Sequence, residues 1–284
     1  STLPTKDISK EILEDSLGIL GKQARAEGKP LLYDKEDVAC VMDLWETIPY
    51  RKTMKITDDI EIAFKDSGHV IGSAMTEIIY KGKKLVYTGD LGNSPSPLLN
   101  DTEEITDADY LMIESVYGNR NHATHKESKD MLEDVIEETI NSGGTLMIPA
   151  FSIEKTQEIL YEVKEMMVDG RIPMVKVFLD SPLAIKVTNI YKRHADFLNE
   201  GARERFANTK NGEIFSFPQL VQTLQTEDSI AIKDYHHPKI IIAGSGMSMG
   251  GRILHHEKNY LPDPRSTLLL TGYQSVGTLG RKIQ

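Results

Sequence analysis

Three side chains in this sequence have types and positions suited to binding a metal ion: His69, Asp90 and Glu114. His69 lies between Gly68 and Gly72, and glycines let a backbone turn tightly, while imidazole is a common metal ligand near neutral pH. Asp90 stands between glycines where a predicted strand ends, and its two carboxylate oxygens could bridge two cations. Glu114 follows a short apolar run, and strand ends are where α/β sheets collect their ligands.

Each of these residues also has a simpler interpretation. His69 can be a loop histidine that hydrogen-bonds the backbone, Asp90 a turn aspartate that bonds its own backbone, and Glu114 a structural cap of the next segment. His122 and His125 form a weaker metal pair, for which a solvated loop is the simpler explanation. Taken together and in this order, however, His69, Asp90 and Glu114 favour a metal site.

A glycine-rich segment, residues 244–250, follows a predicted strand and precedes a predicted helix. Its backbone N–H groups could bind a phosphate at a helix N-terminus. The spacing is not that of a dinucleotide-binding fingerprint, and the Lys-Ser/Thr of a P-loop is absent. A tight turn without a ligand is the alternative. A nucleotide-binding α/β enzyme would use this loop but would leave the other three residues unexplained.

The elements around the first three residues mix helices with antiparallel strands. Thr5 is the expected N-cap of a first helix with apolar residues at helical spacing, and Asp34 that of a second. Residues 60–64 alternate as a half-buried strand does, and 76–80 and 85–88 flank Lys81-Gly82-Lys83 as in a hairpin. Residues 111–113 predict one more short, buried strand.

From about residue 126 the pattern alternates between helices and strands. We expect strands at residues 145–150, 175–179, 239–243 and 267–271, with helices between them, and surface helices and loops over 200–235. This alternation predicts an α/β fold with a mostly parallel, doubly wound sheet. In the last of these helices, His255 and His256 point in different directions, so at most one can face a site.

Composition and charge narrow the classes of protein. The 284 residues are 39% apolar and 27% charged, with a net charge of −10, which is typical of a globular chain and argues against nucleic-acid binding by bulk charge. The single cysteine, Cys40, excludes an intrachain disulfide framework. No apolar run reaches the ~20 residues of a membrane span, and no signal peptide opens the sequence, so we expect a cytoplasmic protein with no membrane partner.

Several segments resemble, in order, the metallo-β-lactamase-fold nucleases of the β-CASP family, which includes the endonuclease subunit of the cleavage-and-polyadenylation machinery. The resemblance covers essentially the whole sequence. The matching segments are residues 68–74 (GHVIGSA), 88–92 (TGDLG), 114–120 (ESVYGNR), 149–158 (PAFSIEKTQE), 180–184 (DSPLA), 244–247 (GSGM), 251–256 (GRILHH), 272–274 (GYQ) and 277–281 (GTLGR).

The resemblance implies roles for individual residues. His69 would be a zinc ligand, Asp90 a carboxylate that bridges two Zn²⁺ ions, and Glu114 an acidic residue that orients a later histidine near the leaving group. Asp90 and Glu114 are thus the expected catalytic residues, and two metals suit phosphodiester hydrolysis. We expect RNA contacts from Ser245, Gly246, Met247 and Arg252, with Arg252 as a local cation.

The sequence also departs from the family pattern. The family's principal zinc motif, His-x-His-x-Asp-His, does not occur in it, and two later family histidines are missing as well. The resemblance therefore implies an interior segment of a longer enzyme, with an incomplete metallo-β-lactamase αββα domain in residues 1–117 and an inserted, truncated β-CASP domain in 118–284. We expect such a segment to bind zinc weakly and to be inactive alone.

The function expected from this resemblance is zinc-dependent hydrolysis of single-stranded RNA in RNA processing or decay, by endonucleolytic or 5′-to-3′ exonucleolytic cleavage. The alternative is a non-catalytic RNA-binding or assembly module of the same fold. Members of the family often form dimers, so a homodimer is the oligomer to test for, although no apolar stripe in the sequence is diagnostic of one.

Overall fold

The computed structural model describes residues 1–121, 123–209 and 212–284. The chain divides into two compact units: the first contains Ser1–Asn121 and Ile190–Arg203, and the second His122–Asn189 and Glu204–Gln284. The family resemblance implied a single boundary after residue 117, whereas in the structure the chain returns to the first unit at Ile190. The reason lies in tertiary contacts, since the Tyr191 hydroxyl accepts the Ile71 N–H and Leu198 pairs with Leu99.

Two helices open the first unit, α1 (Leu3–Glu27) and α2 (Lys35–Leu44). The N-cap of α1 is Thr2, whose hydroxyl accepts the Thr5 N–H, so the expected cap at Thr5 was three residues too late. Asp34 caps α2 as predicted, in a reciprocal capping box with Asp37.

A five-stranded sheet follows within the described residues, in the order β1-β2-β3-β4-β5. Its strands are β1 (Thr53–Lys55), β2 (Ile60–Asp66), β3 (Ala74–Tyr80), β4 (Lys83–Tyr87) and β5 (Tyr110–Met112). The first four pair antiparallel and β5 joins β4 in parallel. The predicted hairpin is confirmed, because Lys81 and Gly82 both have positive φ, as a two-residue turn requires. The predicted strand at 111–113 forms at β5, but it is exposed rather than buried, because it lies at the sheet edge.

The second unit contains a wholly parallel sheet in the order β10-β6-β9-β7-β8 among the described residues, which confirms the predicted α/β class. Its strands are β6 (Thr145–Pro149), β7 (Lys176–Asp180), β8 (Leu220–Gln222), β9 (Lys239–Ala243) and β10 (Thr267–Leu268). Strand β8 falls in the 200–235 stretch, for which the sequence predicted only helices and loops. Its three residues are too few for a pattern, and pairing with β7 creates the strand.

Helices cover both faces of this sheet. The helices that do so are α3 (His125–Ser142), α4 (Lys155–Val168), α5 (Pro182–Arg193) and α8 (Ile253–Tyr260), and the other described α-helices after residue 121 are α6 (Glu200–Asn208), α7 (Thr226–Ala231) and α9 (Leu279–Ile283). One face packs Leu146, Val177 and Ile240 against α3, α4 and α5, and the other packs Met147, Phe178 and Ile241 with α8. Strands buried on both faces read as continuous apolar runs, which is why they were predictable. None of the described helices has the length and apolar character to span a membrane.

Candidate metal centre and nucleic-acid interface

His69 lies in the loop between β2 and β3, and hydrogen bonds hold this loop in one shape. The Ser73 hydroxyl accepts the N–H of His69 at 3.2 Å and that of Val70 at 3.1 Å. The Gly72 carbonyl accepts hydrogen bonds from the hydroxyls of Thr2 and Thr5. Gly72 has a φ of +80°, and a Cβ there would lie 2.7 Å from Pro4 and Thr2. The backbone of His69 is thus fixed, while its imidazole side chain stays 44% exposed.

Asp90 lies after β4, and its loop approaches the His69 loop at a pair of glycines. The Gly92 N–H donates to the Ser67 carbonyl at 2.8 Å. A Cβ on Gly92 would lie only 1.9 Å from the Gly68 carbonyl oxygen, so the approach requires a residue without a side chain. This contact places the His69 Nε2 3.8 Å from the Asp90 Oδ2. The two residues for which the sequence predicts a shared metal site therefore lie close together, and their role as ligands stays a prediction.

Glu114 supports the Asp90 loop from the end of β5. Its Oε1 accepts the Leu91 N–H at 2.8 Å, and its own N–H donates to the Thr88 hydroxyl at 3.2 Å. Residues on both sides of Asp90 are thereby held to the strand-end segment that carries Glu114. A bidirectional link of this kind fixes where the Asp90 carboxylate emerges from the backbone.

The donor set at this place fits part of a zinc site. Zinc takes imidazole and carboxylate ligands at about 2.0–2.2 Å, and at least three protein ligands are usual. The side chains of His69 and Asp90 are close enough to share an ion with a small adjustment, and Asp90 is 72% exposed. Across residues 1–121, 123–209 and 212–284, however, no group of three or more His, Cys, Asp and Glu side chains could hold a metal. A metal ion held by this pair would therefore need further ligands.

Two clefts of the first unit meet at Asp90. One, of about 450 Å³, runs along the end of β5 and is lined by Asp90, Glu114 and Ile113. The other, of about 370 Å³, is lined by His69, Asp90 and the hydroxyls around Gly72. Asp90 is thus reached from both clefts.

The weaker metal pair that the sequence suggested was His122 and His125. His122 lies outside the described residues, and the His125 Nε2 lies 3.1 Å from a Glu162 carboxylate oxygen.

The glycine-rich loop of the second unit, residues 244–251, closes on itself after β9. The Ser245 N–H donates to the Gly250 carbonyl, the Ser248 N–H to the Ser245 carbonyl, and the Met249 N–H to the Ser245 hydroxyl. Gly251 has a φ of +75° and lies where a Cβ would contact the Gly244 carbonyl at 2.4 Å. The loop is therefore a compact turn at the carboxyl end of a parallel strand, the edge at which α/β proteins bind ligands.

The loop has neighbours at the same sheet edge. The hydroxyls of Ser152, after β6, and Ser181, after β7, lie 3.3 Å apart. A Cβ on Gly244 would lie 3.9 Å from each of these hydroxyl oxygens. Three strand ends thus bring small polar groups together at the edge that carries Ser245, Gly246 and Met247, whose contact with RNA stays a prediction.

The structure gives Arg252 internal partners. Its guanidinium donates to Asp180 Oδ1 at 2.8 Å and to the carbonyls of Thr223 and Leu224 at 2.9 and 3.0 Å, and its side chain is only 20% exposed. The expected cation for RNA is therefore largely engaged within its own unit. His256 is buried and bonds Asp180, whereas His255 is exposed, as expected for neighbours on a helix.

Asp180 is the residue that the sequence analysis left without a role. It is completely buried at the end of β7 and accepts hydrogen bonds from Arg252, His256, Thr223 and Ser229. Burial raises the pKa of Asp180, but these hydrogen bonds outweigh burial and lower it to about 2. The available signal was the carboxylate that ends an otherwise apolar strand, because a buried charge requires partners.

Comparison with known proteins gives relatives along the whole chain. Residues 156–283 match the Beta-Casp domain. The chain is 34% identical over 283 residues to Ribonuclease TTHA0252 of Thermus thermophilus, covering all of this chain and 63% of that protein. It is 30% identical over 289 residues to Transcription termination factor FttA of Methanosarcina mazei, covering all of this chain and 44% of that protein. It is 30% identical over 285 residues to Endoribonuclease YSH1 of Yarrowia lipolytica, covering 99% of this chain and 33% of that protein.

The chain thus spans less than two thirds of the length of these relatives. Their shared similarity reaches from the His69 and Asp90 loops of the first unit to the parallel sheet of the second, where the domain match lies. The chain therefore belongs to the metallo-β-lactamase β-CASP family.

Proposed function

We propose that this chain forms part of a zinc-dependent hydrolase that cleaves phosphodiester bonds in single-stranded RNA. The observation that carries the proposal is the His69–Asp90 pair, with 3.8 Å between Nε2 and Oδ2 on two loops held together by backbone contact. The names of the relatives, two ribonucleases and a termination factor that share this region, support RNA as the substrate.

In this proposal three residues of the first unit have defined tasks. His69 and Asp90 hold the metal, and Glu114 keeps the Asp90 loop in place through the Leu91 N–H. When bound, zinc supplies Lewis-acid stabilisation of the negative charge that develops on a phosphodiester. The fixed loops hold the backbone of both ligands in place, so only the two side chains must be ordered when the ion binds.

In the second unit, the turn at Ser245, Gly246 and Met247 contacts the RNA backbone. At Gly246 a Cβ would lie 2.9 Å from the Phe151 ring, so this glycine lets the turn pack against Phe151 and keep its shape. The net charge of −10 predicts few phosphate contacts, and therefore a shallow dependence of RNA affinity on salt concentration.

The test is Asp90→Ala in the protein expressed from its complete reading frame, with cleavage of a fluorescent single-stranded RNA as the readout. We expect the cleavage rate to fall by more than about a thousandfold, because several kcal/mol of metal-derived stabilisation is lost. Asp58→Ala is the matched control, since Asp58 is a fully exposed aspartate of the same unit, paired only at the surface with Lys55. Undiminished cleavage by Asp90→Ala would refute the proposal.

A second candidate function is a non-catalytic RNA-binding or assembly module. It is favoured by the absence of a third metal ligand among the described residues, because affinity for zinc depends on the full ligand set. We expect the 284-residue chain by itself to bind zinc weakly and to be inactive. Stoichiometric zinc that survives dialysis against a chelator would contradict this expectation, and RNA binding without cleavage by the complete protein would select the second candidate.

A further inference from the structure

Asp180 forms the most highly connected buried charge among the described residues of the second unit. It ends β7 with no exposed surface. Its Oδ1 accepts from Arg252 and Thr223, and its Oδ2 accepts from the His256 Nε2–H at 2.7 Å and the Ser229 hydroxyl at 2.6 Å. Two of these partners, Arg252 and His256, lie at the start of α8, and the other two, Thr223 and Ser229, lie in the segment that follows β8.

A carboxylate is an expensive choice for stability alone at such a position. Removing a charge from water costs several kcal/mol, and replacing a buried ion pair with apolar residues of similar volume is often neutral or stabilising. The neighbouring strand residues Phe178 and Leu179 are apolar and fully buried. The presence of a charged residue at the next position therefore indicates a requirement for geometry, since hydrogen bonds fix directions that apolar contacts do not.

The partners of Asp180 lead directly to the glycine-rich loop. Arg252 is the N-cap residue of α8, and His256 lies one turn into that helix. The start of α8 is in turn bonded to the loop, because the Ile253 N–H donates to the Gly244 carbonyl and the Ser248 hydroxyl donates to Glu257. A displacement of α8 therefore displaces the loop.

Arg252 is shaped for this internal task. Its planar guanidinium spans the Asp180 carboxylate and the carbonyls of Thr223 and Leu224, three acceptors that follow two different strands. A lysine carries the same charge but has a single nitrogen and cannot span them. Charge and geometry can thus be separated by one substitution at this position.

We infer that Asp180 is a positioning residue that sets the geometry of the 244–251 loop for RNA through Arg252 and His256, and that Arg252 itself makes no contact with RNA. The inference rests on the proposed function, because it takes the loop as an RNA-binding surface. It replaces the sequence-based expectation that Arg252 is a cation for the RNA backbone.

The experiment measures RNA affinity of the 284-residue chain and its variants Asp180→Asn, Arg252→Lys and Arg252→Gln. The probe is a short fluorescein-labelled oligouridylate, followed by anisotropy over a series of salt concentrations, at a temperature where circular dichroism shows each variant folded. We expect all three variants to bind about tenfold more weakly, because they lose one or two of the hydrogen bonds that hold the start of α8, and through it the loop, in place. The salt slope should be unchanged.

Arg252→Lys is the decisive variant because it keeps the charge. If Arg252 contacted a phosphate, Arg252→Lys would retain most of the affinity, and Arg252→Gln would reduce the slope of log affinity against log salt by about 0.7. That pair of results would overturn the inference. Arg265→Gln is the matched control, since Arg265 forms an exposed pair with Asp263 in the same unit, and we expect it to bind as the wild type does.

Amide hydrogen exchange separates this inference from the proposed function. In Asp180→Asn we expect faster exchange in residues 245–251 and at the start of α8, with exchange in β6 unchanged. If the wild-type chain does not bind the oligouridylate, the RNA-binding function of the loop fails, but the exchange result still decides whether Asp180 positions the loop. Unchanged exchange in the loop would overturn the inference whatever the RNA result.

If Asp180→Asn does not fold, Ser229→Ala takes its place in both measurements, because it removes one hydrogen bond to Asp180 and no charge.

Discussion

Substitution of Gly92 by alanine tests how the two loops of the candidate metal centre are held together. A Cβ on Gly92 would lie 1.9 Å from the Gly68 carbonyl oxygen and 2.3 Å from its carbonyl carbon. These are backbone atoms and cannot rotate away. Gly92 has no positive φ that would add strain of its own, so the effect of the substitution comes from this contact alone.

The magnitude follows from the distances. To bring the new Cβ to the shortest tolerable separation of 3.0 Å, the two segments must move apart by about 1.1 Å. The Gly92 N–H to Ser67 carbonyl bond, now 2.8 Å long, would then be broken. A lost hydrogen bond costs about 1 kcal/mol and forced overpacking about 1–3 kcal/mol. We therefore expect the free energy of unfolding to fall by about 2–4 kcal/mol.

The assay is thermal and urea unfolding of the 284-residue chain, with Gly18→Ala as the control. Gly18 lies within α1, and a Cβ there meets nothing within 4 Å, so alanine should stabilise the helix by up to about 1 kcal/mol. Gly92→Ala should lower Tm by about 10 °C for a unit of this size. Equal stability of Gly92→Ala and wild type would refute the view that the two loops are fixed by close backbone approach.

Three further outcomes are expected in the second unit. Lys239 is buried and donates to the carbonyls of Ile232 and Tyr235, so Lys239→Met should lower the free energy of unfolding by about 2 kcal/mol in urea, because two buried acceptors lose their donor. Burial lowers the pKa of Lys239 to about 8. Because the unfolded chain holds this proton to higher pH, the free energy of unfolding should rise between about pH 8 and pH 10, and Lys239→Met should abolish that rise. The pKa of Asp180 is lowered to about 2, since its four hydrogen bonds outweigh burial. Its ionised carboxylate should therefore contribute about 2 kcal/mol to the free energy of unfolding above about pH 4, and this contribution should be lost as the pH falls toward 2. Acid titration of Asp180→Asn should not show this loss.

Much of the fold was predictable because burial leaves a periodic trace. The strands β6, β7 and β9 are buried on both faces, and continuous apolar runs bounded by glycine and polar residues identify such strands. Strand β8 escaped prediction because it has three residues and depends on pairing with β7. The position of Ile190–Arg203 in the first unit was equally hidden, since contacts between residues more than 100 positions apart leave no local pattern.

The candidate site, like the fold, was predictable from the sequence only in part. The types and order of His69, Asp90 and Glu114 were visible in the sequence, and the spacing of His69 and Asp90 now agrees with a shared ligand. The contact that creates this spacing, Gly92 against Gly68, could not be predicted from either loop alone. Arg252 was expected to contact RNA as a local cation because of the resemblance to the β-CASP family. Its engagement by Asp180 became visible only when β7 and α8 were placed side by side.

The two carboxylates of this chain that matter most, Asp90 and Asp180, are distinguished by what surrounds them. Asp180 is completely buried and both of its oxygens are bonded, so it has no capacity left for a ligand and acts on structure. Asp90 is 72% exposed, and within the described residues the cation-forming side chain near it is His69 at 3.8 Å. Its backbone, however, is held on both sides, by Glu114 and by Gly92. An open side chain on a fixed backbone is the arrangement that an external ligand requires, because the ligand then meets a group that needs little ordering.

The same reasoning predicts that Glu114→Gln, which can still accept the Leu91 N–H, should preserve the position of Asp90, whereas Glu114→Ala should release the Asp90 loop. Amide exchange at Leu91 would decide this, and equal protection of Leu91 in the two variants would show that Glu114 does not hold the loop.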